Sequence, residues 1–85
     1  MDTDDLMDLE PAKMVDARGS ACPGPLLEAK KGIGAVPVGE VLEVRSSDEG
    51  TRADIPIWAN KVGHEFLGAL AAEEGYDRLF VRRGK

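Results

Sequence analysis

Hydrophobic and polar residues alternate along three short stretches of the chain, and this alternation predicts strands. The clearest stretch is 41–46, VLEVRS, in which Leu42 and Val44 point to one face and the charged residues between them to the other. Residues 13–17, KMVDA, and residues 77–83, DRLFVRR, have the same character. We therefore predict strands near the start, in the middle and at the end of the chain.

Two other stretches show the apolar spacing of a helix. In the first, the apolar residues at i, i+3 and i+7 are Leu26, Ala29 and Ile33. We predict a helix that begins next to Cys22 and ends at Gly32 or Gly34, because glycine suits the left-handed position after a helix C-terminus.

The second helical stretch follows residue 53, and its apolar residues are Ile55, Trp58 and Val62. Asp54 can serve as the N-cap, with Pro56 in the first turn and Gly63 at the C-terminal end. The pattern makes Trp58 a core residue.

Residues 66–73 are compatible with either structure. Their alanine, leucine and glutamate content favours a helix, but Gly63 and Gly68 interrupt it, and the final strand needs a neighbour. We predict a strand, which gives the order βαβαββ. The expected fold class is a two-layer α/β (α+β) sandwich, with a four-stranded mixed sheet and two helices on one face.

The charge of the chain is unevenly distributed. The 85 residues have a net charge of −5, and residues 1–10 hold five acidic side chains and no lysine or arginine. The other 75 residues are balanced, with 11 basic and 11 acidic side chains. We therefore predict an acidic, disordered tail at 1–12 and one domain at 13–85, with no field that would attract nucleic acid.

Cysteine usage and hydropathy narrow the class of protein further. One cysteine rules out an intramolecular disulfide framework, and no apolar run reaches the ~20 residues of a membrane span. The first ten residues are acidic and have no secretory h-region. We expect a cytoplasmic protein that does not bind membranes.

The single cysteine lies in the motif Cys22-Pro23-Gly24-Pro25. A residue before proline is biased away from helical backbone, as an N-cap residue must be, so Pro23 favours Cys22 at the cap. Pro25 falls in the first turn, where its missing N–H breaks no helical hydrogen bond. The free N–H groups of Gly24 and Leu26 and the helix dipole then favour the thiolate, and Gly24 leaves the sulfur open to approach.

The other residues of the chain limit the reactions that the Cys22 thiol can carry out. A CxxC redox cycle needs a second cysteine at position 25, which is proline. His64 is the only histidine; whether it assists Cys22 stays open, although a histidine at a helix C-terminus is commonly a cap. The spacing shows no metal site, and we expect no cofactor. Covalent carriage of a group, most simply sulfur, remains.

The chain resembles the TusA/SirA sulfur-carrier family over about residues 13–84. The resembling elements are Val15-Asp16-Ala17-Arg18-Gly19, the CPxP motif with Leu26, Lys30-Lys31, Asp54-Ile55-Pro56, Gly63-His64-Glu65 and the final strand to Arg82. The resemblance implies the same βαβαββ fold and a persulfide on Cys22. Its implied partners are a donor, either a cysteine desulfurase or a rhodanese-like protein, and an acceptor in tRNA thiolation, cofactor synthesis or sulfur oxidation. Such a protein is a sulfurtransferase-type carrier rather than a free-standing multi-turnover enzyme.

Supporting residues can be assigned around the cysteine. Gly19 permits a sharp turn between strand and helix. A basic rim that stabilises the thiolate or docks a partner would comprise Arg18, Lys30, Lys31 and Arg52. A solvated helix face with Glu28 and Lys31 paired is the alternative for the lysines.

With few aromatic residues, we do not expect direct nucleic-acid binding. The alternative functions are a regulatory or protein-interaction module without catalysis and a single-thiol redox sensor.

Overall fold

The computed structural model describes residues 10–19, 24–48, 50–71 and 75–85. These ranges contain four strands and two helices in the predicted order. The elements are β1 (Lys13–Asp16), α1 (Gly24–Ile33), β2 (Val41–Ser46), α2 (Gly50–Val62), β3 (Glu65–Ala71) and β4 (Asp77–Arg82).

The strands form one mixed sheet in the order β1-β2-β4-β3. Strand β1 pairs with β2 in parallel, and β4 pairs antiparallel with both β2 and β3. The ambiguous stretch is therefore a strand, because β4 offers it a partner that helix propensity alone ignores. The predicted two-layer fold class is confirmed.

Both helices pack on one face of this sheet. The core there joins Ala29 of α1 and Ile55 and Trp58 of α2 to alternate residues of the strands. The strand residues of this core include Val15, Leu42, Val44, Leu79 and Val81. Trp58 is a core residue, as predicted, whereas Val62 at the end of its stripe is exposed.

Helix α2 begins earlier than predicted. It starts at Gly50, so Asp54 is not its N-cap and Pro56 lies inside the helix rather than in its first turn. Asp48 lies two residues before the helix start, and its Oδ1 accepts the N–H of Gly50, the first helical residue, at 2.8 Å. The sequence reasoning missed it because the helical apolar stripe begins only at Ile55.

The helix ends agree only in part with the prediction. Gly63 adopts a φ of 89°, and the N–H of His64 bonds to the carbonyl of Ala59 at 2.8 Å, as in a Schellman C-cap. At the end of α1, Gly34 is not among the residues with positive φ, and Gly32 lies within the helix. The predicted left-handed cap of α1 is therefore wrong.

Three strands and both helices bring their ends to a single edge of the sheet. Since β1, β2 and β3 run in the same direction, their C-terminal ends lie at this edge with the start of β4. The helices α1 and α2 follow β1 and β2, so both helix N-termini lie there as well. We call it the carboxyl edge.

Candidate functional site

The segment that contains Cys22 joins β1 to α1 at the carboxyl edge. Cys22 and Pro23 lie outside the described residues, but Gly19 and Gly24 are described on either side. Gly19 has a φ of 85°, and its N–H donates to Ser47 Oγ at 3.0 Å. Because Ser47 directly follows β2, this hydrogen bond ties the loop after β1 to the neighbouring strand.

The start of α1 is fixed by packing. Pro25 is buried in the first turn, and Leu26 packs against the core under the helices. The helix begins at Gly24, so the positive end of its dipole faces the carboxyl edge. The described helix N-terminus therefore lies two residues after the CPxP cysteine in the chain.

Arg18 is held by a carboxylate and an aromatic ring. Its Nε and Nη2 donate to the two carboxylate oxygens of Asp16 at 2.8 and 2.7 Å, and its guanidinium lies 4.8 Å from the centroid of the Tyr76 ring. Hydrogen bonds from Arg18 lower the pKa of Asp16 to about 2. The guanidinium is thus oriented at the end of β1, four residues before Cys22.

A second ionic cluster adjoins this arginine on the face of the sheet without helices. Glu43 is only 2% exposed, and it accepts hydrogen bonds from Arg45 at 2.6 Å and Arg78 at 2.9 Å. Burial would raise the pKa of Glu43, but the hydrogen bonds from Arg78 and Arg45 lower it overall. Arg45 also lies 5.8 Å from the Tyr76 ring centroid, so the two arginine groups meet at this tyrosine.

An open cleft of about 530 Å³ lies at the same edge. The described residues that line it are Ser47, Arg52, Ala71, Gly75 and Asp77. Arg52 pairs with Asp77 at 2.9 Å across the start of α2 and β4. Through Ser47 the cleft adjoins the loop that leads to Cys22.

The four residues of the predicted rim do not converge. Arg18 and Arg52 lie at the carboxyl edge, each paired with a carboxylate. Lys30 and Lys31 belong to the last turn of α1, about 9 Å or more along the helix axis from Gly24. Lys31 approaches Glu28 at 3.9 Å, as in the alternative interpretation of a solvated helix face.

His64 lies at the opposite edge of the sheet, between the C-terminus of α2 and the start of β3. Its Nδ1 accepts the N–H of Gly84 at 3.0 Å, and its ring contacts Trp58 edge-on at 5.5 Å between centroids. Burial, helped by the positive charges of Arg83 and Lys85, lowers its pKa. The structure does not bring His64 to the edge at which α1 begins.

The sequence reasoning missed three residues that shape this edge, namely Asp16, Ser47 and Tyr76. Asp16 could have been found, since the pair Asp16–Arg18 at i, i+2 after a strand suits a local ion pair. Tyr76 had no local signal, because it reaches Arg18 only through the pairing of β2 with β4.

The described residues contain neither a metal site nor a membrane-spanning helix. No group of three or more histidine, cysteine, aspartate or glutamate residues there could hold a metal ion. No helix in these ranges is both long enough and apolar enough to cross a bilayer.

Similar proteins identify the family of the chain. Residues 13–83 match the family model described as Sulfurtransferase TusA. A candidate sulfur carrier of Archaeoglobus fulgidus is 53% identical over 72 residues, which are 85% of this chain and 97% of that one. The protein named sulfur carrier protein TusA from Pseudomonas putida F1 is 36% identical over 62 residues, 73% of this chain and 78% of its own.

A solved structure has the same fold. The crystal structure of a SirA-like protein from Desulfitobacterium hafniense aligns with a TM-score of 0.74 at 23% identity, over 86% of this chain and 99% of that one. Together with the family match, which covers all of β1 to β4, the comparisons lead to one conclusion: the chain belongs to the TusA sulfurtransferase family.

Proposed function

We propose that this protein is a sulfur carrier that holds sulfane sulfur as a persulfide on Cys22. The observation that carries the proposal is the family match over residues 13–83, which includes a single cysteine two residues before a helix that begins at the carboxyl edge. A helix N-terminus favours an anion, so it would favour both the thiolate of Cys22 and the persulfide that replaces it.

The proposed transfer is balanced and needs no oxidant or reductant. The Cys22 thiolate attacks the outer sulfur of a donor persulfide, the donor's S–S bond breaks, and the donor leaves as a thiolate. A new S–S bond on Cys22 now holds that sulfur. An acceptor thiolate then attacks the outer sulfur and releases the Cys22 thiolate.

The partners would be a cysteine desulfurase or rhodanese-like donor and an acceptor protein of a sulfur relay. We propose that they meet the protein at the carboxyl edge, where Arg18 is oriented by Asp16 and Tyr76 and where Arg52 borders an open cleft. The cytoplasm is the proposed location, because a reducing compartment keeps a lone thiol from being oxidised to a disulfide.

The direct test is to incubate the protein with glutathione persulfide, and separately with a cysteine desulfurase and cysteine, and to record intact masses. We expect the mass of one added sulfur atom on the native protein and none on Cys22→Ser. An adduct on Cys22→Ser, or no adduct with either donor, would contradict the proposal. A glutathione mixed disulfide in place of the sulfur adduct would favour the redox-sensor alternative.

The position of the partner can be tested with a matched pair of charge-removing variants. Arg18→Gln should slow sulfur transfer from the desulfurase about threefold or more, because a charge at a docking rim acts mainly on association. Lys30→Gln removes the same charge at the other end of α1 and should leave the rate unchanged. Equal rates for both variants would exclude the Arg18 side of the carboxyl edge as the docking site.

A further inference from the structure

The parallel ladder between β1 and β2 ends on a side chain. The N–H of Ala17 donates to the carbonyl of Arg45 at 2.9 Å, which is a regular ladder bond. Two residues further on, the same spacing would bring the N–H of Gly19 to the carbonyl of Ser47. Gly19 donates to the Oγ of Ser47 instead, at 3.0 Å. The Ser47 hydroxyl thus takes the place of a ladder carbonyl at the point where the chain leaves the sheet.

The backbone of Ser47 is held on both sides. Ser46 is fully buried, and its Oγ donates at 2.9 Å to Oγ1 of Thr51, which is 1% exposed. The N–H of Asp48 donates to the same Ser46 Oγ at 3.1 Å. These bonds join the end of β2 to the first turn of α2. Ser47 itself is exposed, so only the χ1 rotation of its side chain is left to be fixed by the bond to Gly19.

The segment after Gly19 is short and has a second anchor at its other end. Residues 20–23 join Gly19 to Gly24, and Cys22 is the third of these four residues. Beyond them, Pro25 is buried and Leu26 packs against the core. A short segment with both ends fixed has fewer conformations than one that is fixed at one end only. The bond to Ser47 therefore restricts the segment from the β1 side, as the packing of α1 does from the other.

We propose that Ser47 is a positioning residue for Cys22. Its hydroxyl holds Gly19 and so keeps the cysteine within reach of the α1 N-terminus, which favours the thiolate. Alanine at position 47 would leave the N–H of Gly19 to water or to the carbonyl of residue 47, and either partner releases or shifts the chain before Cys22. The inference rests on the proposed function for its role in sulfur transfer, but the reactivity of the thiol can be measured without a sulfur donor.

Alkylation of the full chain by iodoacetamide, followed by intact mass over a range of pH, tests the proposal. The thiolate is the reacting form, so the pH midpoint of the rate reports how strongly the protein favours the thiolate. Ser47→Ala should raise this midpoint. Below the native midpoint, the variant should react about twofold to tenfold more slowly than the native protein, the range expected for one lost hydrogen bond.

Two further variants are matched to this one. Ser47→Thr keeps the hydroxyl and should restore the native rate and midpoint. Asn60→Ala removes an exposed polar group near the C-terminus of α2, at the opposite edge of the sheet, and should leave both unchanged. Because both positions are exposed, all three variants should fold, and urea unfolding checks that they do.

Two results would overturn the proposal. A native pH midpoint in Ser47→Ala would do so even if its urea midpoint were lower, because a merely structural role changes stability without changing the thiol. A midpoint in Ser47→Thr raised as far as that in Ser47→Ala would also do so, because the hydroxyl would then not be the group that holds the chain.

Sulfur uptake separates this proposal from the proposed function. Ser47→Ala should take up sulfur from glutathione persulfide more slowly than the native protein, and Ser47→Thr at the native rate. If the native protein takes up no sulfur while the alkylation midpoint of Ser47→Ala is raised, the carrier function fails and the positioning role stands. Equal sulfur uptake with equal alkylation midpoints in the native protein and Ser47→Ala would keep the carrier function and exclude the positioning role.

Discussion

The two faces of the sheet are buried by different physical means, although alternate residues of the same strands form them. Toward the helices, β2 and β4 present apolar residues such as Leu42, Val44 and Leu79 along most of their length. Toward the other side, β2 presents Glu43, whose buried carboxylate is paired with Arg45 and Arg78. The first face depends on shape and close packing, and the second also depends on charge, so mutation and pH should affect the two differently.

The largest effect should come from removing the buried charge. Glu43→Ala should lower the free energy of unfolding by about 3–5 kcal/mol, because two arginines lose the carboxylate that compensates them in a desolvated site. Urea unfolding monitored by circular dichroism measures this change.

Glu65→Ala is the matched control for that variant. It breaks an exposed pair with Arg82 at 3.3 Å and should cost about 1 kcal/mol or less. Similar losses in the two variants would mean that the buried pair contributes no more than the exposed one.

A close contact under α1 tests the helix-covered face. A Cβ at Gly32 would lie 2.5 Å from Cγ2 of Val15 and 3.2 Å from Cδ1 of Leu42. Overpacking of about 1–3 kcal/mol should exceed the gain in helix propensity of about 1 kcal/mol, so Gly32→Ala should be destabilising.

Gly34→Ala provides the control for that contact. Its Cβ would meet only the Lys31 carbonyl oxygen, at 3.5 Å, an ordinary distance. Equal urea midpoints for the two alanine variants would show that the core under α1 rearranges freely.

Acid should destabilise the folded protein through the carboxylates on the helix-free face of the sheet. The folded-state pKa values of Asp16, at about 2, and Glu43 are lowered, so their contribution is complete above the unfolded values near 4. It is lost as pH falls through the folded values. Urea midpoints between pH 7 and pH 2.5 should therefore fall less steeply for Glu43→Gln than for the native protein, and parallel curves would exclude Glu43 as a source of the slope.

The smallest pH effect should come from His64. Its lowered pKa means that the neutral ring is favoured in the folded state, where Nδ1 accepts the N–H of Gly84. This contribution is complete above the unfolded pKa near 6.5 and is lost as pH falls through the folded value. An NMR titration should give a pKa below 6.5, and a value at or above it would contradict the geometry.

Local patterns predicted the elements better than their ends. The alternation in 41–46 and the helical spacing of Ile55 and Trp58 reflect burial on one side, which the fold preserves. The predicted start of α2 was wrong because the Asp48 side chain bonds to the N–H of Gly50, five residues before the apolar stripe begins at Ile55. Of the predicted rim, only Arg18 and Arg52 lie at the carboxyl edge, because position along a helix, rather than charge, decides which edge a lysine can reach.

The sequence by itself determined the βαβαββ order, the sheet with helices on one face and the motif around Cys22, since these depend on periodicity and on proline and glycine stereochemistry. Only the tertiary structure decided that Glu43 is buried between two arginines and that Tyr76 meets Arg18. Those contacts join β1, β2 and β4 across up to 58 positions of the chain, and they exist only after the strands have paired.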